Sequence, residues 1–335
     1  MYDVITFGEP MIRFQPSTQH ERLEQTHLFS STLGGAEINV CAALANIGKL
    51  KTAIITKLPT NALGKWVEHE LDYYKVGTEF VVHGGKRVGK YFTEQGSRPR
   101  TAYVEYDREN SSFAESTFSD YDLNYSEKAK IFHTTGITLA LNQNTRNAAI
   151  EMIKSFKGTD TVVSFDVNYR ANLWSEAEAK ETIEQILPYV DILFISETTC
   201  RKMFQRKGSL EEILKEFADT YDISIIASTK REVISQTQHK FSSVIYERNT
   251  DKIYSTVKPY EVEVVDRVGS GDAYIAGVLY GLLSSSWSCE KAQKYGDAFS
   301  VLKCTILGDI LVSSQGEVEA IIQKHAEGIV EDINR

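Results

Sequence analysis

Basic excess, disulfide-ready cysteine, proline and long apolar runs are all scarce in this 335-residue chain, and each shortage removes a class of protein. Lysine and arginine number 37 against 46 acidic residues, a net charge of −9, so there is no basic stripe with which to hold a nucleic-acid backbone. An anionic substrate would have to be met by a few local arginines. The longest apolar stretch, 273–283, is far short of a membrane span. The four cysteines, at 41, 200, 289 and 304, show no Cys-x-x-Cys spacing and fall in segments that read as helical, which suits reduced core thiols and a cytoplasmic protein. The first eight residues lack the basic and long apolar regions of a signal peptide and read as a buried strand. Only six prolines, no internal repeat and no low-complexity tract leave one continuous body over 1–335 as the expected organisation.

What the chain does have is an alternation of strand-like and helix-like segments. Strands are expected at 4–7, 53–57, 131–135, 161–166, 192–195 and 223–227, with helices at 63–74, 144–156, 289–307 and 317–324 among those between and after them. This is an α/β pattern. Ser175 with Glu178 and Ser209 with Glu212 have capping-box spacing and open two more helices. From 88 to 113 the rhythm breaks into alternating apolar and polar residues with no helix between, which reads as an antiparallel flap. With residues 10–33 it would form a small β lid, whose exposed strands need a partner or a cover.

Residues 265–283 carry the sharpest chemical signal. Gly269 and Gly271 permit a tight turn, and the apolar run after Asp272 has the length of one buried helix. The free N–H groups at such a helix start suit a phosphate. Asp272 in that place is either a first-turn acid or a general base; the paired glycines and a second acid, Asp266, favour a phosphate cradle with a base inside it. Three further groups stand out. Gly34 and Gly35 precede a helix with Ala36, Val40, Ala43, Leu44 and Ile47 on one face and Asn39 beside them. If extended, 166–170 would put Asp166, Asn168 and Arg170 on one side at a strand's carboxyl end, where open parallel sheets bind ligands. In the lid, Arg108 follows Tyr106, and a planar guanidinium is suited to hold a carboxylate. Tyr91 and Tyr106 read equally well as a cross-strand aromatic pair.

The run Asp266, Gly269, Ser270, Gly271, Asp272, Ala276, Gly277 resembles the second signature of the ribokinase-like (PfkB) carbohydrate kinases. Arg267 stands where a small residue is usual, and the Asp-Arg-Val-Gly spelling is similar to the 2-keto-3-deoxygluconate kinase branch. Gly34, Gly35 and Asn39 resemble the first signature, with Cys41 and Pro59 as departures. The resemblance implies a three-layer α/β fold, a mostly parallel central sheet flanked by helices, and a small β-sheet lid that often pairs with its copy on another subunit. It implies ATP and Mg2+ as cofactors, and Asp272 as catalytic base helped by the backbone of Gly269, Ser270 and Gly271 and by Arg170. Substrate contacts would come from Gly34, Gly35, Asn39, Tyr91, Tyr106, Arg108, Arg170, Asp272 and Asp309. Nucleotide contacts would come from Asn168, Ser196, Ser228, Lys230, Gly269 and Gly271. The family's Asn-x-x-Glu is replaced by Ser196 and Thr199, and its Lys-x-Gly-type loop by 228–232, so no metal ligands are assigned. The activity implied is phosphorylation of 2-keto-3-deoxygluconate at its 6-hydroxyl. A kinase for a neutral ketose or pentose, and a sugar-sensing relative without catalysis, stand as alternatives.

Overall fold

The period of two along each strand splits its side chains between two cores, and this decides the layering. In the computed structural model, which describes residues 1–122 and 129–328, the first half runs β1 (Tyr2–Phe7), β2 (Met11–Pro16), β3 (Phe29–Gly34), α1 (Ala36–Asn46), β4 (Thr52–Leu58), α2 (Ala62–Tyr73), β5 (Val76–Gly77), β6 (Val81–His83), β7 (Gly89–Glu94) and β8 (Tyr103–Asp107). The middle adds β9 (Ala129–Thr135), α3 (Gly136–Ala140), α4 (Gln143–Lys157), β10 (Val162–Asp166), α5 (Glu176–Ile186), β11 (Ile192–Phe194), α6 (Glu197–Lys202), α7 (Leu210–Tyr221) and β12 (Ile225–Val233). The last part adds β13 (Gln238–Glu247), β14 (Lys252–Ser255), β15 (Tyr260–Glu263), α8 (Ser270–Ser284), α9 (Cys289–Cys304) and α10 (Gln315–Glu327).

Eleven strands form the main sheet, in the order β14-β13-β12-β11-β10-β9-β1-β4-β5, with β15 on β13 and β6 on β4. Its pairs are parallel from β5 to β12 and antiparallel beyond. Ile5, Phe132, Val163 and Leu193 face one core, closed by α3 to α7. Their neighbours Val4, Ile131 and Ile192 face the other, closed by α1, α8, α9 and α10. Three layers result, as expected.

The lid is a separate four-stranded sheet, β3-β2-β7-β8, built from the two expected segments. Its two hairpins are antiparallel, but they join through a parallel β2–β7 pairing, so the lid is mixed rather than wholly antiparallel. Two other expectations need correcting. The chain does not continue extended after Asp166: Asn168 has φ +37, a left-handed conformation, and turns the segment out of the sheet. Residues 228–232 are no loop, because β12 runs through them and pairs with β13 to its last residue. The helix starts were read well. Ser175 accepts from the N–H of Glu178, and Ser209 with Glu212 closes both bonds of a capping box.

Candidate active site

Where β1, β9 and β10 end, the parallel sheet exposes its carboxyl edge beneath the lid, and there lies a cavity of about 490 Å³. The body supplies Gly35, Glu37 and Asn39 from the start of α1, Asp166, Asn168 and Arg170 from beyond β10, residues 267–272, and Asp309. The lid closes it with Tyr91, Tyr106 and Arg108. These segments are far apart in sequence, and the fold converges them on one space.

The start of α8 is built around Gly269, with φ +83 and no room for a side chain, since a Cβ there would collide with the carbonyl of Asp309. Gly269 is the N-cap and makes no side-chain cap, so the N–H groups of the first turn are not taken by a capping oxygen. Gly271 faces open space. This arrangement fits an anionic group such as a phosphate. Asp272 sits in the same turn, half-buried, and accepts from Asn39 Nδ2 at 2.7 Å. The protein around its carboxyl pushes its pKa up to about 7, against the hydrogen bond from Asn39 and the charge of Arg170. Asp166 is likewise pushed up to about 7, by burial first and then by the Asp272 carboxylate, with Arg170 opposing. Two carboxyls in one cavity therefore titrate near neutrality, while Arg170 keeps no ion pair among the described residues.

On the lid side, Tyr91 donates its hydroxyl to Asp309 Oδ2 and pairs across the strands with Tyr106, ring centroids 5.7 Å apart. Both readings of these tyrosines thus hold together: they are a cross-strand pair and they line the cavity. Arg108 lines it too, with its guanidinium set against a buried acid, Glu9: Nε donates at 2.9 Å and Nη2 to the same oxygen, and Ser111 takes the other. The sequence reading missed Glu9. It also missed Arg13 of β2, 2 % exposed, which reaches Asp309 at 2.6 Å and Asp266 at 2.7 Å. Burial alone would lower its pKa, but Asp309 and Asp266 overcome that and hold it charged. Glu37, a third missed residue, lines the cavity with one oxygen accepting from the N–H and hydroxyl of Thr135 and the hydroxyl of Thr138, and burial raises its pKa. Its one sequence signal was an acid beside a Gly-Gly helix start.

Gly34, the buried last residue of β3, lies behind the cavity wall against the Tyr91 hydroxyl and Asp309. Ser196, Ser228 and Lys230 do not line this cavity. Ser196 caps α6 through the N–H of Thr199, Ser228 is buried in β12 with no hydrogen-bond partner for its Oγ, and Lys230 lies exposed further along the strand. Among the described residues no group of three acidic, histidine or cysteine side chains is placed to hold a metal ion, and no helix is long and apolar enough to cross a membrane. All four cysteines are free.

A family model described as pfkB family carbohydrate kinase matches residues 1–315. A protein of Haloferax volcanii named 2-dehydro-3-deoxygalactonokinase is 31% identical over 327 residues, covering 98% of both chains. The crystal structure of a 2-dehydro-3-deoxygluconokinase from Thermotoga maritima superposes with a TM-score of 0.91 at 34% identity, over 96% of this chain and 98% of that one. An Escherichia coli protein solved in complex with ATP and Mg2+ shares the fold, with a TM-score of 0.83 at 20% identity over 97% of this chain and all of that one.

Proposed function

This chain belongs to the pfkB family of carbohydrate kinases, and from that premise we propose that it transfers a phosphoryl group from ATP to the 6-hydroxyl of 2-keto-3-deoxygluconate or a closely related sugar acid. The observation that carries the reading is the placement of Asp272. A carboxyl with a pKa near 7 lies beside uncapped helix N–H groups, in a cavity that also presents Arg108 and Arg170. A base is most useful when its pKa lies near the working pH.

Bound ATP and Mg2+ supply the phosphoryl group and neutralise its developing charge. The uncapped turn at Gly269, Ser270 and Gly271 fits the transferred group, and Arg170 adds a positive charge beside it. Among the described residues no three side chains are grouped to hold the ion. Asp272 accepts the proton of the substrate hydroxyl. Asn39 orients that carboxylate through its amide, and its own buried Oδ1 has no partner, leaving an acceptor for a sugar hydroxyl. Arg108 offers Nη1, which makes no hydrogen bond among the described residues, while Glu9 fixes the rest of the guanidinium. That is the group we assign to the substrate carboxylate, with Tyr91, Tyr106, Gly34, Gly35 and Asp309 shaping the pocket around it. Asn168 lies at the same cavity and suits a nucleotide contact; Ser196, Ser228 and Lys230 are further assigned to the nucleotide on family resemblance.

The exposed apolar residues of the lid outside the cavity, Leu28, Phe29 and Tyr103, suit docking of a second copy. Free thiols suit a reducing compartment, the cytoplasm. The activity is tested by ADP release over a panel holding 2-keto-3-deoxygluconate, its galactonate epimer, fructose and ribose, with wild type and Arg108→Ala. The sugar acids should be turned over, and Arg108→Ala should lose about 10- to 100-fold in their kcat/KM, the value of one charge-assisted contact. Preferred turnover of a neutral sugar, unaffected by Arg108→Ala, would reject the sugar-acid assignment.

A further inference from the structure

Lys303, in the last turn of α9, has a fully buried side chain, 0 % exposed, and no ion pair among the described residues. Its ammonium instead donates to two main-chain carbonyls, Asp266 O at 3.1 Å and Ile306 O at 3.2 Å. A buried cation is costly to keep, so its position calls for a reason. The two carbonyls belong to the two segments that carry the cavity's key groups. Asp266 begins the loop that delivers Gly269 and Asp272, and Ile306 begins the turn that delivers Asp309. These segments are fitted to each other directly. Gly308 N–H donates to Asp266 Oδ2 at 3.3 Å, the N–H groups of Val265 and Asp266 donate to Cys304 O, and Gly269 lies flat on the Asp309 carbonyl. Arg13 completes the seam from the lid by joining the Asp266 and Asp309 carboxylates. Lys303 and Arg13 thus face Asp266 and Asp309 along one buried seam.

We propose that Lys303 is a positioning residue for phosphoryl transfer: its ammonium is a built-in cation that clamps the loop of the phosphate cradle to the turn bearing Asp309. It touches neither substrate nor nucleotide and acts through the placement of the Gly269–Asp272 turn. The inference rests on the kinase reading above. Since misplacing a catalytic group by about 1 Å costs on the order of 100-fold, loosening this clamp should appear in kcat while sugar affinity, set by the lid and α1, is largely kept.

The test uses the full-length protein with 2-keto-3-deoxygluconate and ATP. Lys303→Met keeps the length and apolar packing of the stem without the charge, and its kcat should fall about tenfold or more, with the KM for the sugar acid changed less than about threefold. Lys303→Ala opens a space at the same carbonyls, and added ammonium or methylammonium ions should restore part of its kcat in a saturable way. Wild type should be indifferent to them. A role in stability alone would not give ion-dependent rescue of kcat. Should both variants fail to fold, the wild-type protein still decides. Burial lowers the lysine's pKa from its ordinary value, opposed by Asp266 and Asp309, with Cys304 and Arg13 the other charged or titratable groups facing it. Its 13Cε shift, read by NMR against pH, reports loss of the ammonium separately from Cys304, and kcat should fall along the same curve. Full kcat in a folded Lys303→Met, rescue that does not saturate or does not occur, or kcat holding level after the 13Cε titration is complete would each overturn the proposal. A wild type that releases no ADP with any sugar would instead reject the kinase reading.

Discussion

At the scale of single residues, Asp272 and Asp166 are the groups whose chemistry the fold has changed most usefully. Both are pushed up to about 7, by burial first, with the Asp272 carboxylate adding to the shift of Asp166 and those of Asp309 and Glu37 adding to the shift of Asp272. A base of this kind works only when ionised. The kcat/KM of the sugar acid should therefore fall about tenfold per pH unit below an apparent pKa near 7, and a profile flat from pH 5.5 to 8 would remove the base from this position. The same shift has a consequence for stability. A carboxyl with a raised folded-state pKa contributes stability that is fully present below its unfolded pKa and is lost as pH rises through the folded one. Asp272→Asn should accordingly be more stable than wild type at pH 8 without ligands, by about 1–3 kcal/mol, with the gap closing toward pH 4. Chemical denaturation at the two pH values checks this, and an unchanged gap would mean that the carboxyl titrates alike in the folded and unfolded chain. Asp272 was legible in sequence because its glycines are local. Glu9 was not, since its partner Arg108 is 99 positions away and nothing in either neighbourhood announces the pair.

At the scale of elements, the lid is tied to the body by Arg13 of β2 and Tyr91 of β7, which both reach Asp309. Arg13 meets Asp309 across 296 positions, and its removal would leave two buried carboxylates without their cation. Arg13→Met should cost about 3–5 kcal/mol of folding stability at neutral pH, since breaking a buried pair from one side leaves an uncompensated charge. A loss under 1 kcal/mol in denaturant melts would mean that the seam is open to water. Strand alternation and capping residues made most elements readable, including both lid segments and the helices opened by Ser175 and Ser209. Long-range pairing was harder. The left-handed turn at Asn168 is local, since asparagine tolerates that conformation and its N–H donates to Asp166 Oδ1 at 3.1 Å, whereas the parallel register of β2 with β7 depends on how two distant hairpins meet. The strand through 228–232 likewise owes its extension to a partner, β13, which follows it in the chain.

At the scale of the whole molecule, a three-layer body supplies the cradle and a mixed sheet supplies the cover, and the cavity exists only between them. The cover leaves Leu28 72 % and Tyr103 52 % exposed on its surface, and the outer strand β8 has one edge unpaired among the described residues. If a second copy docks there, Leu28→Lys with Tyr103→Glu should convert an assembled protein to monomers in sedimentation analysis, and a wild type already monomeric at micromolar concentration would refute that docking. Periodicity foretold the α/β alternation and the lid, and the family resemblance supplied the three layers; neither foretold the seam of Lys303, Arg13, Asp266 and Asp309, which three distant segments make together. The convergence of that whole architecture on one carboxylate is tested most directly by single-turnover phosphoryl transfer to 2-keto-3-deoxygluconate with Asp272→Asn at saturating ATP and Mg2+. The rate should drop by about two to four decades while the sugar acid still binds; a rate within about threefold of wild type would contradict the account.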